Sequence, residues 1–309
     1  MITFVTACTN RKRVGFSLYL SGKSLLNGKQ SVVARNWLEK LKSARKDESL
    51  YKAKAVYCGR GFSEARKGSG NERLLVVSAG LGLIEKETLI PGYSITVSTV
   101  GDDSVAQKID SFSATHWWQI LSSSPFSMGT LGDEIQKGKG VFVIALPRDY
   151  LNMVEADLSR LSPTDKKRLR IIDVSRDVVL PSLFECLIPI DDRLDGPDSP
   201  LPGTKSDLVQ RAARFFIDEV VSKSPRGSVS SHRAAVNSLL EGWRKPKVHN
   251  RKRLTDEEIK LQILSSWEEV GGRSGAMLRH FRDHLGVACE QSRFSSLFKE
   301  VAPLQRGSR

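Results

Sequence analysis

The N-terminal half of the chain contains short apolar runs, and each of them ends in a turn of small, polar or basic residues. Residues 2–7 lead into the sequence CTNRK at 8–12, and residues 74–77 lead into SAGLG at 78–82. Short apolar runs bounded by turns are typical of strands buried on both faces of a parallel sheet. The carboxyl ends of such strands meet at one edge, where their turns build a site. The pattern therefore predicts an open α/β fold with its functional residues at that edge.

Strands and helices alternate over the first 222 residues, which predicts a three-layer α/β domain with a mostly parallel sheet and helices on both faces. The predicted strands are 1–8, 53–58, 73–79, 141–146 and 169–174. The predicted helices are 31–46, 103–121, a segment that ends near residue 161, and 205–222. Residues 122–140 and 189–203 are predicted to be loops, the second of them a lid or a domain border.

Composition divides the chain into three predicted parts. Residues 1–222 form the α/β catalytic domain, 223–253 a basic linker, and 254–309 a helical, helix-turn-helix-like DNA-binding module. Thr255, with Glu257 and Glu258 behind it, is a signal for the start of a helix, and two further helical patterns follow. A plain helical cap is the alternative interpretation of these three short helices.

The chain has a net charge of +13, and residues 225–309 contain 16 Lys and Arg against 9 Asp and Glu. Such a surplus predicts a polyanionic partner, most commonly nucleic acid, and here double-stranded DNA. The simpler interpretation is a basic protein kept in solution by its charge. The predicted DNA-binding residues are Arg244, Lys245, Lys247, Arg251, Lys252, Arg253, Arg273, Arg279, Arg282 and Arg293.

Four scattered cysteines without a CxxC pair favour reduced thiols. No apolar run approaches the roughly 20 residues of a membrane span, and the N-terminus lacks the pattern of a signal peptide. A cytoplasmic location without membrane contact is therefore expected, and no obligate protein partner is evident. His280 and His284 have a spacing that can bind zinc, but no third ligand motif accompanies them. We predict no metal and no cofactor.

The candidate site residues follow the predicted strand ends. Three polar groups are alternatives for acid/base work or for orienting a water: Asn10, Glu85 and Asp149. The predicted substrate-binding residues are Cys8, Thr9, Arg11, Lys12, Gly59, Arg60, Ser78, Gly80, Tyr93 and Arg148. Cys8 is also a candidate nucleophile, although packing at the strand end is the better interpretation. Tyr93 and Trp117 or Trp118 could stack on a base, and core packing is favoured for at least one tryptophan.

Residues 8–12, the sequence YCGR at 57–60, SAGLGLI at 78–84 and PGY at 91–93 together resemble a known group of proteins. They are similar to uracil-DNA-glycosylase-like α/β domains of the SAxxGL…PY type. With the basic C-terminal part, the chain resembles antiviral DNA glycosylases that excise glucosylated hydroxymethylcytosine from phage DNA. The resemblance covers roughly residues 1–180.

The resemblance implies hydrolytic base excision that leaves an abasic site. It also implies that the loop after the first strand supplies the group that positions water. Asn10 stands in that loop, where some members have an aspartate, so Glu85 and Asp149 stay open as alternatives. Two other functions also stay open. One is a non-catalytic DNA-binding regulator, and the other is a nucleoside deoxyribosyltransferase or base-exchange enzyme.

Overall fold

The computed structural model describes residues 1–174, 181–247 and 250–306. It divides the chain into two compact units, Met1–Pro246 and Lys247–Arg309. Within the described residues, no helix is both long and apolar enough to cross a membrane.

The helices and strands are numbered in chain order. The strands are β1 Ile2–Ala7, β2 Gly28–Lys29, β3 Tyr51–Lys52, β4 Arg73–Ser78, β5 Gly82–Glu85, β6 Leu89–Ile90, β7 Ile109–Asp110, β8 Val141–Ala145, β9 Leu169–Asp173, β10 Leu187–Pro189, β11 Lys252–Arg253 and β12 Val287–Ala288. The α-helices are α1 Gln30–Asp47, α2 Ala53–Val56, α3 Arg60–Ser69, α4 Ala114–Leu121, α5 Leu131–Lys137, α6 Arg148–Ser159, α7 Pro163–Lys166, α8 Leu208–Phe216, α9 Val229–Leu239, α10 Asp256–Ser265, α11 Trp267–Val270, α12 Ser274–Asp283 and α13 Gln291–Arg306. Short 3₁₀ segments are Leu18–Leu20, Gly22–Ser24, Pro181–Cys186, Asp192–Asp195 and Lys205–Asp207, and Ile217–Val221 is a π-helical turn.

The first unit is an α/β structure around a mixed six-stranded sheet with the order β10-β9-β8-β1-β4-β5. The pairs β1–β4, β1–β8, β8–β9 and β9–β10 are parallel, as the prediction of a mostly parallel sheet requires. The last pair, β4–β5, is an antiparallel hairpin that the sequence analysis did not predict. The apolar run Val141–Ala145 forms the central strand β8, and all five of its residues are buried, as expected for a strand covered on both faces.

The helices of the first unit form two groups by their mutual contacts. Helix α4 contacts α1 and α6, and α6 also contacts α5. The second group is α3 with α8, and both of these helices contact strands of the sheet. This arrangement is consistent with three layers.

Three predicted segments differ from the structure. The predicted strand 53–58 begins as helix α2, because Ala53, Lys54 and Ala55 are better helix than strand formers. The predicted helix 103–121 is helical only in α4, which Ser113 caps by accepting from the amide of His116. The predicted loop 122–140 contains helix α5.

The predicted helix 205–222 is present as three consecutive helical segments over Lys205–Asp207, α8 and Ile217–Val221. The predicted linker 223–253 differs more, because it contains helix α9. His232, Val236 and Leu240 are 0–1% exposed, so this helix belongs to the core of the first unit. The structure therefore places the division between the units after Pro246.

The second unit has its own apolar core, which includes Ile259, Ile263, Phe281 and Phe294. Thr255 caps α10, as predicted, and forms a reciprocal capping box with Glu258. Helix α13 contacts both α10 and α12, and the short helix α11 also contacts both of them. A short parallel bridge, β11–β12, adds to the three helices.

Candidate active site at the carboxyl edge of the sheet

A chain of buried hydroxyl groups lies where β4 ends. The hydroxyl oxygens of Ser78 and Tyr93 are 2.6 Å apart, and those of Tyr93 and Tyr57 are 2.7 Å apart. The amides of Gly80 and Leu81 donate to the Ser78 Oγ at 3.2 and 3.0 Å. Since both lone pairs of that oxygen are occupied, the Ser78 proton is donated to Tyr93, and a hydrogen bond between the two phenols extends the chain to Tyr57.

Burial sets the electrostatics of this chain. Tyr57 and Tyr93 are 0–1% exposed. Desolvation raises the pKa of both phenols well above the ordinary tyrosine value, and negative charge on Cys8 would raise each further. The two tyrosines are therefore neutral hydrogen-bonding groups at physiological pH and not bases.

The turn after β4 is held by the indole of Trp37, which the sequence analysis did not connect to the site, and by that of Trp117. Trp37 Nε1 donates to the Gly80 carbonyl at 2.6 Å, and Trp117 Nε1 donates to the Ala79 carbonyl at 2.8 Å. Trp118 is also fully buried and donates to Asp157 at 2.7 Å. None of these three indoles is placed to stack on a substrate base.

Cys8 ends β1 next to the first turn of α6. Its Sγ lies 3.2 Å from the hydroxyl of Tyr150, and the Cys8 amide donates to the Val77 carbonyl at 2.9 Å. Burial raises the pKa of Tyr150, and the charges of Cys8 and Asp149 raise it further. Asp149 is therefore within electrostatic reach of the buried cluster, although its own side chain is exposed.

Lys12 connects the buried cluster with the surface. Its Nζ lies 4.2 Å above the ring of Tyr93 and donates to the Thr9 carbonyl at 3.1 Å. Desolvation lowers the pKa of Lys12, while the charges of Cys8, Asp103 and Cys58 act in the opposite direction. Because Lys12 covers one face of the fully buried Tyr93 ring, this tyrosine cannot stack on a base in the observed conformation.

The outer side of the same edge is exposed and mainly cationic. The exposed side chains here are Asn10, Arg11, Arg60, Arg148 and Asp149. Arg60 and Arg148 begin helices α3 and α6, so two helix N-termini face this edge. Gly59, at φ +103°, makes the turn into α3, a backbone conformation that favours glycine.

Of the three predicted catalytic groups, Glu85 lies elsewhere. It pairs with Leu75 in the β4–β5 hairpin, whereas the carboxyl end of β4 at Ser78 pairs with Gly82. Its carboxylate is 3.6 Å from the guanidinium of Arg73 at the start of β4. The chain reverses at the 79–82 turn, and Glu85 is carried away from the carboxyl edge.

Three of the predicted substrate-binding residues are structural in this conformation. Gly80 is buried, and a Cβ there would lie 2.4 Å from Ile95 Cγ2. The Ser78 hydroxyl is fully committed within the protein, as described above. Thr9 is half-buried and donates to the Arg11 carbonyl at 2.7 Å, which stabilises the loop after β1.

Arg211 binds the segment predicted as a lid, residues 189–203, through an ion pair and hydrogen bonds. This guanidinium is 2% exposed. It pairs with Asp195 and Asp207 and donates to the carbonyls of Leu201 and Thr204 at 2.8 and 3.0 Å. The segment is therefore part of the rigid wall of the first unit.

The predicted DNA-binding residues divide between the two units. In the first unit, Arg244 forms a bidentate pair with Asp198, and Lys245 lies 3.5 Å from Asp192, so carboxylates neutralise both. In the second unit, a groove of about 760 Å³ is lined by Asn250, Arg251, Arg253, Arg282, Ala288, Cys289, Glu290 and Arg293. Lys252, Arg273 and Arg279 are exposed in the second unit, as is Lys247 at its start.

The groove is built by arginines that also bond to the backbone. Arg251 donates to the Arg282 carbonyl at 2.9 Å, and Arg282 donates to the Cys289 carbonyl at 2.9 Å. Arg293 pairs with Asp256. Exposed Arg253 has no salt bridge within the described residues, which leaves its charge available to a phosphate.

Comparison with protein-family models, curated proteins and solved structures returned no match to this chain. The chemistry of the carboxyl edge therefore has to be inferred from its own residues. Tyr57 and Trp37 are site-building residues that sequence analysis did not select. Tyr57 lies two residues before the predicted candidate Gly59.

Proposed function

We propose that this chain is a DNA glycosylase that flips a modified base out of the duplex and hydrolyses its N-glycosidic bond. The proposed base is glucosylated hydroxymethylcytosine in phage DNA, and the resulting abasic sites would act as an antiviral defence. The observation that carries the proposal is the carboxyl edge itself. There, a buried layer of hydroxyl groups lies beside exposed arginines and the exposed carboxylate of Asp149.

A flipped nucleotide brings a phosphate on each side and a base to be buried. The exposed guanidinium groups of Arg11 and Arg148, together with the start of α6, suit the flanking phosphates. Arg60 contributes less, because its Nε lies 3.1 Å from the carboxylate of Asp207. In this proposal, surface residues bind the phosphates, and the buried residues Ser78 and Tyr93 lie beneath them.

Breaking an N-glycosidic bond develops positive charge on the sugar, and a nearby carboxylate stabilises it or activates the attacking water. Asp149 is the remaining carboxylate among the three predicted catalytic groups. Asn10 lies on the loop after β1, where its amide can orient a water molecule. We assign Asp149 the electrostatic role and Asn10 the water-orienting role.

The rest of the molecule supports this assignment. The arginine-rich groove of the second unit suits the DNA backbone, and phosphate contacts there would hold the duplex while the first unit acts on one nucleotide. All four cysteines are free thiols, which fits a reducing cytoplasm. The parallel order β4-β1-β8-β9 is that of a doubly wound α/β sheet, the class to which the proposed domain would belong, and the β4–β5 hairpin adds an antiparallel edge.

The test is incubation of the purified full chain with phage DNA that contains glucosylated hydroxymethylcytosine, and with unmodified DNA. Free modified base, measured by mass spectrometry, and alkali-labile strand breaks should come from the phage DNA only. Asp149→Asn should lower the rate of base release by about 10²–10⁴-fold. The matched control Asp110→Asn, at another exposed aspartate, should not change it.

The opposite results are equally informative. Salt-sensitive DNA binding without base release would favour a DNA-binding regulator. Base exchange on free nucleosides, insensitive to salt, would favour a deoxyribosyltransferase. Full activity of both Asp149→Asn and Asn10→Ala would refute the catalytic assignment.

A further inference from the structure

Lys12 differs in burial from the basic residues next to it in the loop after β1. The first 38 residues contain six Lys and Arg and no Asp or Glu, so Lys12 has no acidic neighbour along the chain. The other cations of its loop, Arg11 and Arg13, are exposed, whereas Lys12 is half-buried and points toward the tyrosine cluster. Among the described residues, no carboxylate lies within the 4.0 Å of a salt bridge with its Nζ.

The backbone holds this lysine in register with the opposite segment. Lys12 forms an antiparallel bridge with Tyr57. The Arg13 amide donates to the Val56 carbonyl at 2.9 Å, and the Cys58 amide donates to the Arg11 carbonyl at 3.3 Å. The lysine stem therefore starts from a fixed point, and its amine lies between the buried hydroxyl groups and the solvent.

This environment makes an amine nucleophilic. Burial lowers the pKa of Lys12, which increases the fraction of neutral amine near physiological pH. The face of the Tyr93 ring and the Thr9 carbonyl, which accepts a hydrogen bond from Nζ, fix the position of this amine, and both contacts favour its ammonium form. A desolvated lysine beside a site that handles a sugar is suited to attack a carbonyl carbon.

We propose that Lys12 captures the deoxyribose of the abasic product as an imine, so that the enzyme also cleaves the DNA strand. The Nζ adds to C1′ of the open-chain aldehyde, and one water molecule leaves as the C=N bond forms. The imine then allows the C2′ proton to pass to water while the C3′–O bond breaks and the 3′ phosphate departs. Hydrolysis of the imine returns the free amine. This step rests on the proposed function, since it acts on the product of base excision.

The experiment supplies the abasic site ready-made, so that it does not depend on base excision. The full chain is incubated with a duplex oligonucleotide that contains one abasic site, in the presence of sodium cyanoborohydride. The reductant converts an imine into a stable amine bond between protein and DNA. We expect a covalent protein–DNA adduct on a denaturing gel, and peptide mass spectrometry should locate the deoxyribose remnant on Lys12.

Three variants separate an imine from general attraction of cations to DNA. Lys12→Arg keeps the positive charge but cannot form the imine, so it should lose more than tenfold of the adduct while still binding the duplex. Lys12→Gln should lose the adduct to the same extent. Lys29→Gln removes an exposed lysine from the same basic segment and should leave the adduct unchanged.

Each outcome decides the proposal. An adduct on another residue, or an adduct that Lys12→Arg retains, overturns it, as does the absence of an adduct when the folded wild-type chain binds the abasic duplex. An adduct on Lys12 without base release from phage DNA supports the imine and refutes the proposed glycosylase substrate. Base release without an adduct supports the glycosylase and refutes the imine.

Discussion

Two of the buried polar clusters in the first unit differ in the groups that accept and donate their hydrogen bonds. At the carboxyl edge, Tyr57, Ser78 and Tyr93 form a neutral chain of hydroxyl groups. In strand β9, Arg170 is 2% exposed, and its guanidinium donates to His232 Nδ1 at 2.8 Å. Arg170 also donates to the carbonyls of Lys167, Leu169 and Gly227.

The difference is in what each cluster touches. The partners of Arg170 come from β9, from the turn before it and from the region around α9, so the guanidinium ties a distant segment to the sheet. The hydroxyl chain instead has half-buried Lys12 above it and exposed Arg11 beside that lysine. A buried polar cluster alone therefore does not indicate a functional site. The edge cluster differs because Tyr93 contacts Lys12, and Lys12 lies next to the exposed Arg11.

The largest expected effect tests the structural cluster. Arg170→Ala removes four hydrogen bonds and leaves buried carbonyls without donors, so we expect a loss of about 3–5 kcal/mol in the free energy of unfolding. Urea titration followed by circular dichroism measures it. Exposed Arg160→Ala is the control and should stay within about 0.5 kcal/mol of wild type. A loss below about 1 kcal/mol for Arg170→Ala would remove the distinction between the two clusters.

A smaller loss is expected at the edge cluster. Tyr93→Phe removes the central hydroxyl and leaves Ser78 without its acceptor, so the free energy of unfolding should fall by about 1–3 kcal/mol. Thermal unfolding measures this loss, and the base-release assay should show whether the floor of the site tolerates it. Tyr51→Phe, at an exposed tyrosine, is the matched control.

The structural cluster should also respond to pH. Burial lowers the pKa of His232, and the nearby Arg170 charge lowers it further, because Nδ1 must stay free to accept from the guanidinium. Since the unfolded chain takes up this proton first, stability should be full above pH of about 6.5 and should fall as the pH drops below it. Denaturant midpoints between pH 8 and pH 5 test this trend, and His232→Gln should flatten it. An equally steep fall in that variant would assign the effect to other groups.

The smallest effect is expected for the thiol contact. Tyr150→Phe removes the hydroxyl that lies 3.2 Å from Cys8 Sγ, and a thiol is a weak partner, so stability should change by less than about 1 kcal/mol. The rate of thiol alkylation measures the exposure of Cys8 in the same variant. A change of several kcal/mol would place Tyr150 with the structural cluster.

The sequence was sufficient for the central strands, because β1, β4, β8 and β9 are mainly apolar runs whose residues are buried, apart from Ile2 and Arg73 at two strand starts. It also located the loop after β1 and the start of α6. It could not place Glu85, since the 79–82 turn reverses the chain into an antiparallel strand instead of leading to a helix. Sequence analysis also did not predict the helix at 229–239, because its buried side chains pack on distant segments such as β10, and His232 bonds to Arg170, 62 residues away.

The tie between Arg211 and the segment 189–203 has a consequence for binding kinetics. Opening that segment would separate a buried guanidinium from Asp195 and from the Leu201 carbonyl, at a cost of about 3–5 kcal/mol for two charge-assisted hydrogen bonds. No slow closure of this segment should therefore follow the first encounter with DNA. In stopped-flow experiments the observed association rate should rise linearly with DNA concentration. Slow opening of the segment 189–203 would instead make the rate level off at high DNA concentration.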